Sequence, residues 1–225
     1  MHSNWIKNLL CDFVDREPTK EVSNAFDIML CRAHSLKEAH PEYKDLFIDP
    51  EEDILNSKPQ IIQQVSEELR EFLEVLKGCG TKSILQIGLG HFGCTHFIMS
   101  LLFEKVISIE YDLDHVVRYK DTGVFHSTKE SIICGDSQNK LTVDKAKLSE
   151  PYDCLFIDGN HSYDAVAADH KEYAPLVKTG GIVAFHDALL EGPLYGVPQV
   201  LKELEQDITI IKHSKEVGIA YYIKD

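Results

Sequence analysis

Two short stretches hold the side chains best suited to chemistry. One is IDGNHSY, residues 157–163, and the other is GGIVAFHDA, residues 180–188. Asp158 directly follows the apolar run CLFI, and Asp187 follows the run IVAF with one residue between. His161 follows Asp158 by three residues, and His186 immediately precedes Asp187. Two carboxylates brought together suit a hard divalent cation such as Mg²⁺, with water at the remaining positions. A histidine titrates near neutrality, so it can take a proton from a hydroxyl group. His161 is the first candidate for such a base. His186 is a second candidate, as base or as metal ligand. Plainer roles are open as well: Asp158 could cap a turn at Gly159, His161 could simply begin a helix, and His186 could be a core histidine with satisfied partners.

A third stretch, ILQIGLGHFG, supplies a place for a cofactor. Gly88, Gly90 and Gly93 follow an apolar run in the pattern G-x-G-x-x-G, which lets the backbone approach a ligand closely. Glu110 stands 22 residues beyond Gly88, after another apolar run, where a carboxylate can accept hydrogen bonds from ribose hydroxyls. GDSQ adds Asp136, Ser137 and Gln138, polar groups suited to the edge of an adenine. Glycines and Glu110 fit NAD and S-adenosylmethionine (SAM) equally well.

These residues need a scaffold that gathers them. From Lys82 onward, short continuous apolar runs alternate with helical segments, the pattern of strands buried on both faces of a doubly wound, mostly parallel sheet. The last two runs, DITIIKH and VGIAYYIKD, are separated by about three residues, too few for a helical crossover, so an antiparallel hairpin is expected at one edge. Ligands of such sheets bind beyond the carboxyl ends of the strands, and every candidate residue above falls at one of those ends. Residues 1–80 instead carry helical periodicity in three segments. The first has Trp5 to Val14, the second spans about Glu21–Ala33, and the third is expected to start at Ser57 and Pro59 and to end at Gly78 and Gly80. We therefore expect an N-terminal helical extension over 1–80, used as a cap and an oligomer contact, and a cofactor-binding domain over 81–225.

Composition narrows the function classes. The chain of 225 residues has a formal net charge of −14, which repels phosphate backbones and argues against nucleic acid as substrate. No run of about 18 apolar residues suggests a membrane span, and the first residues do not resemble a signal peptide. Six cysteines contain no C-x-x-C pair. They are expected to be reduced, with Cys134 and Cys154 in the core, in a cytoplasmic protein.

Residues 82–225 resemble class I SAM-dependent methyltransferases, and among them the catechol O-methyltransferase-like and macrocin O-methyltransferase-like small-molecule enzymes. The resemblance lies in QIGLGHFGCT, ISIEYD, GDSQ, LFIDGNHSYDAVAAD and KTGGIVAFHDA. It implies that Gly88, Gly90 and Gly93 line the methionine and ribose part of SAM, that Glu110 holds the ribose, and that Asp136, Ser137 and Gln138 flank the adenine. It implies further that Asp158 and Asp187, with His186 as a candidate third ligand, hold Mg²⁺ at the acceptor hydroxyl, with His161 in the place of the catalytic base. Two positions depart from the family. Gln86 stands where an acidic residue is usual, which implies weaker SAM binding, and Ala188 replaces an asparagine ligand of the catechol enzymes. The expected function is O-methylation of a small hydroxylated molecule, a sugar or a phenol, by a homo-oligomer such as a dimer. The alternatives are an NAD-dependent oxidoreductase and a SAM-binding protein without catalysis.

Overall fold

A computed structural model describes residues 18–39, 63–121, 128–213 and 217–225. The expected helix around Trp5–Val14 lies outside the described residues. In chain order the elements are α1 (Lys20–Ala39), α2 (Ser66–Gly78), β1 (Ser83–Ile87), α3 (Cys94–Leu102), β2 (Lys105–Glu110) and α4 (Leu113–Asp121). There follow β3 (Glu130–Cys134), α5 (Lys140–Lys147), β4 (Tyr152–Ile157), α6 (Tyr163–Tyr173), a 3₁₀ turn (Ala174–Leu176), β5 (Val177–Phe185), α7 (Val197–Glu203), β6 (Thr209–Ile211) and β7 (Ile219–Ile223).

The seven strands form one sheet in the order β3-β2-β1-β4-β5-β7-β6. β1 to β5 run parallel, and β7 is antiparallel to both β5 and β6. The doubly wound sheet with its antiparallel hairpin is the arrangement that the alternating apolar runs imply. Consecutive residues of a strand serve opposite faces. Ile84 packs with α1, α2, α3 and α4 on one side, while Leu85 and Ile87 pack with α5, α6 and α7 on the other. Both faces are therefore covered, as the near-continuous apolar strands require.

α2 shows how an N-terminal helix is fixed to the sheet. Leu69, Phe72, Leu73 and Leu76 recur at helical spacing and are fully buried, with the Phe72 ring centroid 5.3 Å from that of Phe156 on β4. Truncating Phe72 to alanine would cost about 3–5 kcal/mol. Glu68 on the same face is buried too, and its carboxylate accepts from the amides of His213 (3.1 Å) and Gly218 (3.0 Å) at the two ends of the β6–β7 connection. α1 adds Val22, Phe26 and Met29 to this core. The apolar stripes of α1 and α2 are thus covered within the chain and supply no argument for an oligomer.

Three expectations need correction. α2 starts at Ser66, because Gln63 adopts φ 48° and Val65 is extended, and the expected start at Ser57 and Pro59 lies outside the described residues. The acidic first turn, Glu67 and Glu68, marks that start by favouring the positive end of the helix dipole. Cys134 is exposed, since β3 is an edge strand, whereas Cys154 on central β4 is buried. β5 begins at Val177, earlier than its apolar run.

Candidate active site

Strand register decides which residues meet. Ile87 of β1 pairs with Ile157 of β4, and Ile157 pairs with Phe185 of β5, so the three strands end level. The ladder continues one step further, with Asp158 N donating to Ile87 O (2.9 Å) and His186 N to Ile157 O (3.0 Å). Gly88 and Asp158 therefore touch, and Asp158 and Asp187 converge. A Cβ on Gly88, whose φ is +92°, would lie 2.0 Å from the Asp158 carbonyl oxygen.

A cavity of about 620 Å³ opens across these strand ends. Its walls include Gly88 and Gly90 after β1, Glu110 and Tyr111 at β2, and Asp136, Ser137 and Gln138 after β3. Asp158 and His161 after β4 and His186 and Asp187 after β5 complete it, so most of the residues expected from the sequence share one space. Two do not line it. Gln86 points into the core, 1% exposed, with Nε2 donating to Gly88 O (2.6 Å) and Oε1 accepting from Ser108 Oγ (3.3 Å). Residue 86 shares a strand face with Ile84, which is why it meets helices and not the cavity. Gly93 has φ +61°, and a Cβ there would sit 2.4 Å from the Tyr119 ring, so it serves packing of the loop against α4.

The walls also include residues that sequence reasoning missed. Gln64 Nε2 donates to Asp158 Oδ2 (2.7 Å), and Gln63 Oε1 accepts from His91 N (3.0 Å). His115 lines the cavity with one ring nitrogen 2.9 Å from His91 Nδ1. Gln63 and Gln64 were hidden by carrying helical periodicity past the true start of α2, and the Glu67–Glu68 signal was the means of finding them.

Glu110 is held in place from behind. Its Oε2 accepts from Leu89 N (2.8 Å) and Gly90 N (3.2 Å), and its Oε1 from Asp112 N (2.8 Å). The glycine-loop amides are thus occupied by a carboxylate and are not offered to an anion. Asp136 Oδ1 accepts from Gln138 N (2.9 Å), and the Tyr173 hydroxyl donates to Ser137 O (2.6 Å), which fixes the loop after β3.

At the other end lies a cluster of two carboxylates and two imidazoles. His161 Nδ1 is 2.5 Å from Asp187 Oδ2. His186 Nδ1 lies 3.1 Å from Asp158 Oδ1 and 3.0 Å from Asp187 Oδ1. Neither contact of His186 is aligned as a hydrogen bond, so these are ion pairs, and its Nε2 has no hydrogen-bond partner among the described residues. Burial alone would lower the pKa of His186, but the two aspartates outweigh it and push the value up to about 10. The hydrogen bond to Asp187 likewise raises His161 against the effect of burial. Burial pushes Asp187 up, yet His161 and His186 prevail and hold its carboxyl well below the usual range. Asp187 itself has φ 56°, a conformation that costs a non-glycine residue about 1–3 kcal/mol and aims the carboxylate at both imidazoles.

Asp158, His161 and Asp187 each offer one donor atom, all within 4.8 Å of one another. Mixed oxygen and nitrogen donors at that spacing fit a single divalent cation. His161 stands in this set where the sequence suggested His186, whose Nδ1 is taken up between the carboxylates. A cation here would displace the Gln64 hydrogen bond or the His161–Asp187 contact, because every carboxylate oxygen of the pair already has a protein partner.

A doubly wound sheet with an inserted antiparallel last strand, and a cavity fed by five strand ends, defines a cofactor-binding α/β protein. Within that class the chain is a member of the family described as "Methyltransferase domain", whose model matches residues 28–188. This membership sets aside the NAD-dependent oxidoreductase reading. No curated protein matches the chain by sequence. Among similar solved structures is the O-methyltransferase from Bacillus cereus in complex with SAH, at 12% identity and a TM-score of 0.57, covering 98% of this chain and 97% of that one. Another is the O-methyltransferase TomG from Streptomyces achromogenes in complex with SAM, at 15% identity and a TM-score of 0.55, covering 94% and 93%. A third is the MycE methyltransferase in complex with Mg and SAH, at 17% identity and a TM-score of 0.53, covering 81% of this chain but 53% of that one. At these identities the likeness is one of fold. No helix among the described residues is long and apolar enough to cross a membrane.

Proposed function

We propose that the chain is a SAM-dependent O-methyltransferase acting on a small hydroxylated molecule, a sugar or a phenol, with His161 as the group that takes the hydroxyl proton. The observation that carries this reading is the chemistry of the cavity wall. It holds four carboxylates, Glu110, Asp136, Asp158 and Asp187, against the imidazoles of His161 and His186 and no lysine or arginine among the described residues, and its glycine-loop amides already serve Glu110. Such a wall suits a cationic sulfonium and disfavours a pyrophosphate. Bound SAM supplies an electrophilic methyl group. The protein residues bind and orient: Glu110 faces the ribose, Asp136, Ser137 and Gln138 the adenine, and Gly88 and Gly90 let the backbone come close.

His161 is prepared for its part by Asp187. With Nδ1–H directed at Asp187 Oδ2, Nε2 is left as the acceptor, and its raised pKa makes it a stronger base. Nε2 would take the proton of the acceptor hydroxyl, and bound SAM would supply the methyl group, its carbon–sulfur bond breaking to leave SAH as the oxygen–carbon bond forms. Tyr195, with its ring centroid 5.8 Å from that of His161, flanks the place where the acceptor would lie. Tyr163 is directed away, donating to Glu203 Oε2 (2.6 Å).

A divalent cation is the second element of the proposal, supported by the donor spacing of Asp158, His161 and Asp187. Mg²⁺ is the ion present in the MycE complex. When bound, such an ion lowers the pKa of a coordinated hydroxyl. A cation held through His161 would compete with a proton for that imidazole, so the two elements are separable. Calorimetry with SAM, SAH and NAD tests the cofactor: tight NAD binding without SAM or SAH binding would sink the reading. A homo-oligomer, a cytoplasmic location and the division at residue 80 stay proposals of the sequence, for which sedimentation is the first test. A SAM-binding protein without catalysis would instead bind SAH and transfer no methyl group across a broad screen of phenols and sugars.

A further inference from the structure

A thread of buried polar side chains crosses the core beneath the glycine loop. It starts at Glu130, the first residue of β3, whose Oε2 accepts from the Tyr119 hydroxyl (2.7 Å) and lies 2.8 Å from His96 Nε2. His96 on α3 is fully buried, with Nδ1 2.7 Å from Ser108 Oγ on β2. Ser108 Oγ donates to Gln86 Oε1 (3.3 Å), and Gln86 Nε2 donates to Gly88 O (2.6 Å). None of Glu130, His96, Ser108 and Gln86 lines the cavity, and the proposed chemistry uses none of them. Polar and ionisable groups in a core are costly unless each is matched, and apolar residues would fill the same space more cheaply.

The matching has a direction. A carbonyl only accepts, so Gln86 must turn its amide nitrogen to Gly88 and its oxygen to Ser108. That oxygen requires the Ser108 proton, which leaves Ser108 Oγ to accept from His96 Nδ1–H. At the far end His96 Nε2 lies 2.8 Å from Glu130 Oε2 without the alignment of a hydrogen bond, so the hydrogen-bonded part of the chain runs from His96 Nδ1 to the Gly88 carbonyl. Each bond fixes the next, and the last one falls on the peptide where the chain turns at φ +92° and where Gly88 N donates to Ile109 O (2.9 Å).

We propose that His96, Ser108 and Gln86, anchored on Glu130, are positioning residues that hold the Gly88 carbonyl and with it the cofactor-binding glycine loop. This rests on the reading of the cavity as the SAM site. It also reverses the meaning of the departure at position 86. Restoring the family's acidic residue by Gln86→Glu would set a carboxylate oxygen against the Gly88 carbonyl, where an amide now donates. The relay therefore expects Gln86→Glu to weaken binding, whereas a missing partner for the SAM ammonium group would expect the same change to strengthen it.

The experiment measures SAH affinity by calorimetry for the wild type, Gln86→Glu, Ser108→Ala, Gln86→Leu and the double variant Ser108→Ala/Gln86→Leu. Amide hydrogen exchange at Gly88, Leu89 and Gly90 is followed without ligand. The expected result is about tenfold or greater weakening for Gln86→Glu. The double variant should be no worse than the weaker-binding single one, because one broken link already releases the loop. Loop exchange should quicken in Ser108→Ala while exchange in central β4 stays as it was. Unchanged or tighter SAH binding by Gln86→Glu, losses that simply add in the double variant, or unchanged loop exchange would each overturn the relay. Wild-type protein that binds no SAH would instead remove the SAM reading, and loop exchange would still decide the relay.

Discussion

Gly88→Ala should separate the role of backbone contact at the site from that of backbone conformation. Alanine at φ +92° carries a conformational cost of about 1–2 kcal/mol. The added Cβ would also fall 2.0 Å from the Asp158 carbonyl oxygen, a backbone atom that cannot swing away. Close carbon–oxygen contacts lie at about 3.3 Å or more, so the ends of β1 and β4 must part by more than about 1 Å. Overpacking of that kind costs a further ~1–3 kcal/mol. A total near 3 kcal/mol corresponds to a fall in Tm of about 6–12 °C for a chain of this size. Gly80→Ala is the control, because Gly80 has φ +70° and a methyl group there would meet nothing within 4 Å. It should lose about 1 kcal/mol or a little more, from conformation alone, and leave the site intact. Thermal melts and SAH calorimetry on both variants make the comparison. Only Gly88→Ala should weaken SAH, by about tenfold or more, since a misplacement near 1 Å is expensive at such sites. Equal melting losses in the two variants, with unchanged SAH affinity, would refute the claim that contact between the two loops fixes the site.

Further outcomes follow from the carboxylate–imidazole cluster and from Asp169. His161→Ala should lower methyl transfer by about 10²–10⁴-fold, the usual worth of a general base, and Asp187→Asn should move the acidic limb of the pH–rate profile to lower pH by removing the group that raises His161; a limb that stays in place would sever Asp187 from the base. His186, raised to about 10 in the fold, contributes stability that is complete below its unfolded value near 6.5 and is lost as pH rises towards 10. Asp187, depressed in the fold, contributes stability present above its unfolded value and lost only in stronger acid. Urea titrations should therefore show the alkaline decline shrinking in His186→Ala, and an unchanged decline would contradict the ion pairs. Burial raises the Asp169 carboxyl to about 6, so Asp169→Asn should stabilise the protein by about 1–3 kcal/mol at pH 8 and little at pH 4; an equal gain at both would exclude a titration effect. Removal of divalent metal with EDTA, checked by elemental analysis, should abolish most wild-type activity if Asp158, His161 and Asp187 hold a cation, and full activity in metal-free protein would take the cation out of the mechanism.

The convergence of Asp158, His161, His186 and Asp187 was legible because continuous apolar runs at α/β spacing leave few topologies, and parallel neighbours end at the same edge. Glu110 and the segment 136–138 followed from the same rule. What escaped depends on orientation and on contacts distant in sequence. Gln86 precedes the strand end by one residue, and alternation turns it towards His96 and Ser108, neither of which the motif includes. Gly93 matches the fingerprint, yet its freedom serves Tyr119. Gln64 reaches Asp158 across 94 residues of sequence, from a position just ahead of α2. The partners of His186 could be named from strand order, but its placement between two carboxylates rests on the turn at Asp187, which apolar patterning does not encode.

The two amide bonds to Glu68 bear on the order in which the chain can fold. The carboxylate sits on the buried face of α2, but its partners, His213 N and Gly218 N, come 145 and 150 residues later. Until that hairpin is in place, α2 cannot dock without sealing an unmatched charge into the core, a penalty of several kcal/mol. Contacts so far apart in sequence also form slowly. α2 should therefore join the sheet late, together with β6 and β7, although it is made before any strand. Pulsed hydrogen exchange during refolding would show protection of α2 amides rising with those of β7 and after those of β1 and β4. In Glu68→Gln, which lowers the charge penalty, α2 should gain protection earlier, and early protection of α2 in the wild type would rule this order out.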